Sequence, residues 1–352
     1  MLWLIYTTGE CNLRCSYCGG SFNPSVVPWE VKYSLEDLKK LVESDSDATV
    51  IFYGGEPLLN AEFMMKVMDG VRAKRFGVQT NGTVIDALPA SYWKRMSVVL
   101  LSIDGRESVT DSFRGKGVYK RVVSALRALK EAGVGKIIAR MTVTSKTDIY
   151  EDVSHLFSLG FDYVHWQINA VWSKIWNIRR WGETSYIPGI IELKEAFLRE
   201  AERGRVLGIV PFLGILSAHY FKPYEGPPCG SGYRAVSVST DGRILACPIA
   251  VYERWAELGS VKSGFKLMKI ELPDACKSCE YLRYCGGRCL YSIKEGEKLW
   301  GKSFWDLDYI TRETIKAVLS MVPELDELIE EKILDRSSFY YDPVLDSTEV
   351  IP

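Results

Sequence analysis

The sequence predicts an α/β protein: a partial (β/α)6 TIM-like barrel, then a small cysteine-rich domain with a β-hairpin, then a C-terminal helical segment. Two observations lead to this fold class. Up to about residue 210, short apolar runs alternate with amphipathic helical patterns. From about residue 222 the chain becomes rich in Gly, Pro and Cys. We therefore expect a barrel over residues 1–221, a cysteine-rich domain over 222–299, and a helical segment with a tail over 300–352.

The predicted barrel strands are short and apolar on both faces. Examples are "LWLIYTT" (Leu2–Thr8), "TVIFYGG" (Thr49–Gly55) and "SVVLLSIDG" (Ser97–Gly105), and helical patterns such as Tyr119–Gly133 separate them. Strands of this kind form parallel sheets covered by helices. Right-handed β-α repeats then give a TIM-like barrel, or part of one, whose active site lies where the strands end. In the cysteine-rich region, two alternating strands flank Asp241–Gly242, which predicts the hairpin.

Composition and charge limit the classes of function. The 352 residues carry a formal net charge of −1, so nothing predicts a nucleic-acid partner. No apolar run approaches the ~20 residues of a membrane helix, and the apolar start is too short for a signal peptide. The nine cysteines are an odd number and are clustered, which favours metal coordination over disulfides. We expect a cytoplasmic protein without membrane contact.

The first cysteine cluster has the spacing C-x3-C-x2-C and consists of Cys11, Cys15 and Cys18. Three thiolates on an iron–sulfur cluster leave one iron open to a small molecule, much as a catalytic zinc keeps one open position. The alternative is zinc, with a distant cysteine or one of the three histidines as the fourth ligand. Spacing alone favours the open cluster.

The segment "CNLRCSYC", placed directly after the first predicted strand, resembles the cysteine motif of the radical S-adenosylmethionine (SAM) enzymes. Further motifs follow in the same order, namely "GGEP" (Gly54–Pro57), "TNG" (Thr80–Gly82), "SIDG" (Ser102–Gly105) and "DSFRGKG" (Asp111–Gly117). The resemblance implies a [4Fe-4S] cluster on the three cysteines, with SAM on the fourth iron. Reduction would cleave SAM into methionine and a 5′-deoxyadenosyl radical.

The resemblance also implies a set of SAM contacts. The carbonyls of Gly54 and Gly55, together with Glu56, would accept hydrogen bonds from the amine of SAM. Arg140 would pair with the carboxylate of SAM, which suits a guanidinium fork. The remaining expected contacts are Tyr17 beside the adenine, Ser102 at ribose or carboxylate oxygens, and Asp104. Three alternatives to these SAM contacts remain open: a simple turn at Gly54–Pro57, a structural ion pair at Arg140 and a capping role for Asp104.

The second cysteine cluster resembles the SPASM domain, which carries auxiliary iron–sulfur clusters in radical SAM enzymes. Its pattern is Cys229-x12-Gly242-x4-Cys247, then Cys276-x2-Cys279-x5-Cys285-x3-Cys289. The family pattern has a further cysteine, and this chain has none after residue 289. The resemblance implies that Cys229, Cys247 and Cys289 serve one cluster and Cys276, Cys279 and Cys285 another. The resemblance implies one or two auxiliary clusters of the [4Fe-4S] type, and a zinc knuckle is the alternative.

These features predict an enzyme that oxidatively modifies a peptide or protein, most readily by a thioether or carbon–carbon crosslink in a ribosomally made peptide. An external electron donor of the flavodoxin or ferredoxin type would be required. One alternative is a non-catalytic iron–sulfur or zinc protein that carries electrons or acts as a scaffold. The other is a SPASM enzyme acting on a small molecule or on a sulfatase. Pro248 counts against the sulfatase, because sulfatase-maturing relatives have an acidic residue there. No catalytic proton-transfer residue is identified.

Two segments have weaker signals. The stretch His165–Trp181 holds four tryptophans and three basic residues, which would suit a peptide groove. The four-residue spacing of Trp172 and Trp176 instead favours a buried helical face. From Ser337 onward the pattern is weak, and we expect a mobile tail.

Overall fold

The computed structural model describes residues 1–170, 176–301 and 304–351, so the prediction for Trp172 lies outside the described residues. Ten strands form one sheet. They are β1 (Leu2–Thr8), β2 (Thr49–Gly54), β3 (Arg75–Thr80), β4 (Met96–Ser102), β5 (Ile137–Val143), β6 (Tyr163–Ile168), β7 (Ala235–Val238), β8 (Arg243–Leu245), β9 (Glu257–Ser260) and β10 (Gly264–Phe265).

Helices connect and cover the strands. Those of the barrel region are α1 (Leu35–Val42), α2 (Ala61–Gly70), α3 (Ala90–Trp93), α4 (Glu107–Arg114), α5 (Val118–Glu131), α6 (Ile149–Leu159), α7 (Ile178–Trp181), α8 (Ile187–Ala201) and α9 (Val210–Tyr220). Later in the chain come α10 (Asp274–Lys277), α11 (Leu282–Cys285), α12 (Leu290–Trp300), α13 (Phe304–Leu319), α14 (Val322–Glu330) and α15 (Pro343–Asp346). Within the described ranges, no helix is long and apolar enough to span a bilayer.

The first six strands are parallel neighbours in chain order, which confirms the partial (β/α)6 prediction. The local signals that predicted the helices also hold. Ser34, for example, accepts a hydrogen bond from the backbone N–H of Asp37 at the start of α1, as an N-cap does. The full strand order is β10-β9-β8-β7-β1-β2-β3-β4-β5-β6, so β6 and β10 are the edges and the barrel stays open.

The predicted hairpin forms and extends the barrel sheet. β7 and β8 pair antiparallel around the turn at Asp241–Gly242. β7 also pairs parallel with β1, from Leu2 opposite Ala235 to Ile5 opposite Val238. The strand that leads into the first cysteine cluster therefore has a partner on both sides.

The two faces of the sheet have different roles. One face packs against the helices in the main hydrophobic core, which includes Trp3 and Phe52. On the other face, Leu100 and Ile138 belong to a second, smaller core. Because side chains alternate along a strand, the residues two positions after these, Ser102 and Arg140, point to this same face, above the second core.

The C-terminal segment is packed, contrary to the mobile tail that the sequence predicts. Val344 of α15 belongs to the second core, and Val350 is fully buried. Asp346 accepts an ion-pair contact of 2.6 Å from Lys136 of the barrel. The prediction was wrong because these partners come from distant parts of the chain and leave no local periodic pattern. In the tryptophan-rich stretch, Trp166 and Trp181 are buried, as core packing predicts.

Candidate functional site

A cavity of about 590 Å³ opens where the parallel strands end, which is a volume suited to a cofactor-sized ligand. Residues expected to bind the cluster or SAM line it together, namely Cys11, Cys15, Tyr17, Cys18, Gly54, Gly55, Glu56, Ser102 and Arg140. Asp104, which was expected there too, is fully buried and is absent from the lining. Cys289 of the second cysteine cluster also lines the cavity.

The first three cysteines lie on a loop directly after β1. Within it, the backbone N–H of Cys18 donates to the carbonyl of Cys15 at 3.0 Å. The N–H of Ser16 donates to the carbonyl of Phe113 at 2.9 Å, which connects the cysteine loop to helix α4. The sulfur of Cys11 accepts contacts from the backbone N–H of Leu13 at 3.5 Å and from the side-chain amide of Asn81 at 3.9 Å.

The donor set fits an open iron–sulfur cluster. The hydrogen bond between Cys15 and Cys18 lowers the pKa of the Cys18 thiol to about 6, toward the thiolate that metals require, and raises the pKa of the Cys15 thiol. The cavity lining within the described ranges contains no histidine. Nor do the described residues hold three or more His, Cys, Asp or Glu side chains at the spacing of a single metal ion. A four-iron cluster separates its thiolates more widely than one ion does.

Gly54 and Gly55 make room for the cysteine loop. A Cβ at Gly54 would lie 2.2 Å from the carbonyl oxygen of Thr8, and one at Gly55 would lie 2.1 Å from that of Glu10. Gly54 also has a φ of +140°, which side-chain-bearing residues rarely adopt. The missing side chains of these two glycines therefore let β2 pack closely against the protein's own backbone.

Glu56 is buried and bonded within the protein. Its carboxylate accepts hydrogen bonds from the hydroxyl of Thr80 at 2.7 Å and from the backbone N–H groups of Asn81 at 2.7 Å and Leu58 at 3.1 Å. Burial raises the pKa of Glu56 to about 7. The side chain thus joins the end of β2 to the end of β3, as well as bordering the cavity.

Asp104 lies behind the cavity wall and holds two residues that form it. Its carboxylate pairs with Arg114 at 2.7 and 2.8 Å and accepts a hydrogen bond from the hydroxyl of Tyr17 at 2.9 Å. The Arg114 guanidinium lies 5.5 Å from the centre of the Tyr17 ring. The ring of Phe113 stacks on Tyr17 at 5.9 Å. This network fixes the tyrosine between the cysteines and the wall.

Ser102 and Arg140 are opposite each other on β4 and β5. The guanidinium of Arg140 contacts Glu349 from the C-terminal segment at 3.0 and 3.3 Å, and the ring nitrogen Nδ1 of His165 at 3.2 Å. Arg140 therefore takes part in an ion pair inside the protein, which is one of the alternatives left open by the sequence. It still faces the cavity.

The thiols of the remaining cysteines influence one another within two sets, and that these sets hold two clusters stays a prediction. Burial raises the pKa of Cys247, and the neighbouring thiols of Cys289 and Cys229 raise it further. In the second group, Cys276, Cys279 and Cys285, burial raises the pKa of Cys285 to about 11, and the other two thiols add to this. The first group reaches the cavity through Cys289, whereas none of the second group lines it.

Sequence reasoning missed three residues of this site. Arg114 lies inside the quoted "DSFRGKG" segment, so its position could have marked it. Glu349 and His165 had no such signal. His165 is fully buried on β6, and Glu349 is 209 positions away from its partner Arg140.

Residues 5–159 match the Radical SAM superfamily. This part of the chain is a radical SAM domain, which makes the protein an enzyme with SAM and a [4Fe-4S] cluster as its cofactors. The match begins in β1 and ends with α6, so it includes the cysteine loop and the strands that carry the Gly-Gly-Glu-Pro motif and Arg140.

Similarity to other proteins extends over most of the chain. The cysteine-type anaerobic sulfatase-maturating enzyme of Clostridium perfringens is 24% identical over 320 residues, covering 79% of this chain and 85% of that one. The mycofactocin maturase MftC of Mycolicibacterium smegmatis is 23% identical over 315 residues, covering 80% and 76%. An uncharacterized protein of Archaeoglobus fulgidus is 25% identical over 317 residues, covering 81% and 73%.

Two solved structures share the fold. Native anSMEcpe with bound AdoMet superposes with a TM-score of 0.73 at 20% identity, covering 94% of this chain and 100% of that chain. SuiB of Streptococcus suis bound to the precursor peptide SuiA gives a TM-score of 0.56 at 15% identity, covering 85% and 74%. The open barrel with its C-terminal extension is thus the arrangement of both structures.

Proposed function

We propose that this enzyme oxidatively modifies a peptide or protein, with a thioether or carbon–carbon crosslink in a ribosomally made peptide as the favoured reaction. One observation carries the proposal. The cavity lined by Cys11, Cys15 and Cys18 is also lined by Cys289, a member of the second thiol group. A substrate in this cavity would lie within reach of both sets of thiols, as a two-stage oxidation requires.

Each set of residues has a defined part in this proposal. Cys11, Cys15 and Cys18 hold the [4Fe-4S] cluster that binds SAM, and the two groups formed by the other six cysteines hold auxiliary clusters. When bound, the cluster and SAM supply the reductive cleavage that makes hydrogen abstraction possible. The backbone carbonyls of Gly54 and Gly55 accept hydrogen bonds from the amine of SAM.

The walls of the cavity orient SAM. Arg140 offers its guanidinium to the carboxylate, and Ser102, opposite it on the neighbouring strand, offers a hydroxyl. The network of Asp104 and Arg114 holds Tyr17 beside the expected position of the adenine. Glu56 supports the site by joining two strand ends, since its carboxylate oxygens already accept protein hydrogen bonds.

Peptide chemistry is supported by the named relatives, which include a maturase and an enzyme bound to a precursor peptide. Action on a sulfatase is less well supported, because Pro248 follows Cys247 where the sulfatase-maturing relatives have an acidic residue. An external one-electron donor of the flavodoxin or ferredoxin type completes the proposal, since the reductive cleavage of SAM consumes an electron.

The test is anaerobic reconstitution with iron and sulfide, followed by SAM and dithionite. We expect 5′-deoxyadenosine from the parent and none from Cys15→Ala. With a precursor peptide encoded beside the enzyme's own gene, the product should lack two hydrogen atoms by mass spectrometry. Equal 5′-deoxyadenosine formation by Cys15→Ala would refute the assignment. A product with an unchanged mass would refute crosslinking.

A further inference from the structure

The guanidinium of Arg140 is held from two directions. Glu349 binds its end edge, with Oε2 at 3.0 Å from Nη1 and Oε1 at 3.3 Å from Nη2. The Nδ1 atom of His165 lies 3.2 Å from Nη1. Burial and the nearby guanidinium lower the pKa of His165 to about 3, so the ring is neutral. Nδ1 therefore accepts from Arg140, and Nε2 carries the proton, 3.4 Å from Oε2 of Glu349.

These contacts use three of the five N–H groups of a guanidinium. The two that remain are the Nε–H and the second N–H of Nη2, which lie side by side on the other edge. Neither has a hydrogen-bond partner in the part of the chain that the structure describes. Since Arg140 lines the cavity, this edge can receive a second carboxylate in a bidentate contact.

Glu349 is held in place independently of Arg140. The next residue, Val350, is fully buried against Gly214 of α9. Gln167 of β6 donates to the carbonyl of Ile351 at 3.5 Å. A ligand that binds Arg140 would therefore share the guanidinium with Glu349, because displacing this carboxylate would mean removing buried apolar residues from the core.

We propose that Glu349 is the resident counter-ion of Arg140 and sets how strongly the cavity binds a ligand that carries a carboxylate. The inference rests on the proposed function, in which that ligand is SAM. Two carboxylates on one guanidinium repel each other across a partly buried site, where charges are poorly screened. Without Glu349, the buried cation would have no carboxylate partner in the empty cavity and would gain one only when the ligand binds.

The test measures equilibrium binding to the reconstituted holoenzyme by anaerobic dialysis, with SAM and decarboxylated SAM as probes. For Glu349→Gln we expect SAM to bind roughly two- to five-fold tighter than to the parent, on the scale of one partly screened charge pair. Decarboxylated SAM should bind the variant and the parent equally. Unchanged or weaker SAM binding would overturn the inference, and so would an equal gain for both probes.

Three further variants separate the causes. Glu349→Asp keeps the negative charge and should bind SAM as the parent does. Tighter binding of SAM by this variant would indicate loosened packing and would overturn the inference. Asp346→Asn removes another carboxylate that anchors the segment, the partner of Lys136, and should leave SAM binding unchanged. Arg140→Gln should reduce the preference for SAM over decarboxylated SAM, leaving the part that comes from the cluster iron. If the preference is unchanged, the contact between Arg140 and SAM is refuted, whereas failure of Glu349→Gln alone refutes only the inference.

Discussion

The packing of the C-terminal segment can be tested at Gly214, in the middle of α9. A methyl group added there would lie 2.2 and 2.4 Å from the two γ-carbons of Val350, and 2.8 Å from its Cβ. Valine is stiff about χ1, so its methyl groups cannot swing aside. We therefore expect Gly214→Ala to force α9 and the C-terminal segment apart.

The magnitude follows from two opposing effects. Within a helix, replacing Gly by Ala stabilises by about 1 kcal/mol. Overpacking a well-filled core costs about 1–3 kcal/mol. If the segment undocks instead, the loss of burial for Val350 alone costs about 1.5–3 kcal/mol, and Ile351 adds a similar amount. The steric cost prevails, and we expect a net destabilisation of about 1 kcal/mol, with an upper limit of about 2 kcal/mol.

The assay is urea unfolding of the cluster-free chain, followed by circular dichroism, together with limited proteolysis of the C-terminal segment. Gly214→Ala should unfold at lower urea and be cleaved sooner. The double variant Gly214→Ala/Val350→Gly is the matched control, because it removes the clash. Its loss of stability should be at least about 1 kcal/mol smaller than the sum of the two single variants. A stabilised Gly214→Ala, as in an ordinary exposed helix, would refute the packing of Val350 on α9.

Three other outcomes are expected. Because the pKa of Glu56 is raised, the stability that this residue contributes is present below about pH 4.5 and is lost as the pH rises through about 7. In urea unfolding, the free energy of unfolding of the parent should therefore fall by up to about 3 kcal/mol between about pH 5 and about pH 8. Glu56→Gln should lack this decline. An equal decline in the variant would contradict this. Asp104→Asn breaks the buried ion pair with Arg114 and should destabilise the chain by about 3–5 kcal/mol in the same assay. A loss of stability below about 1 kcal/mol would show that the ion pair is dispensable. Iron analysis of the reconstituted protein should give about twelve irons per chain for three [4Fe-4S] clusters, and about eight would leave a single auxiliary cluster.

The barrel could be predicted from the sequence because its signals are local. Each strand is a short apolar run, and each helix has its own amphipathic pattern. The cap at Ser34 and the turn at Asp241–Gly242 depend on residues within a few positions of each other. The cysteine loop was equally accessible, since the spacing of its three thiols is itself the signal.

The rest of the site depends on contacts between distant residues. Nothing near Glu349 in the sequence indicates that it meets Arg140, and nothing near Val350 indicates that it fills a space left by Gly214. The burial of Asp104 behind the cavity wall was also not predictable from the "SIDG" motif, because its partner Arg114 belongs to the following helix. Such pairs become visible only when the strands and helices are assembled.

The pairing of β1 with β7 has a consequence for how the protein is made. β1 emerges from the ribosome more than two hundred residues before its partner, which runs from Ala235 to Val238. Until then, one edge of the strand that carries the cysteine loop is unpaired and open to wrong partners. Such distant pairings form slowly, because a long loop must close first. We therefore expect cluster insertion in the cell to follow, rather than precede, synthesis of the hairpin. Chains truncated before β7 should acquire iron poorly and aggregate.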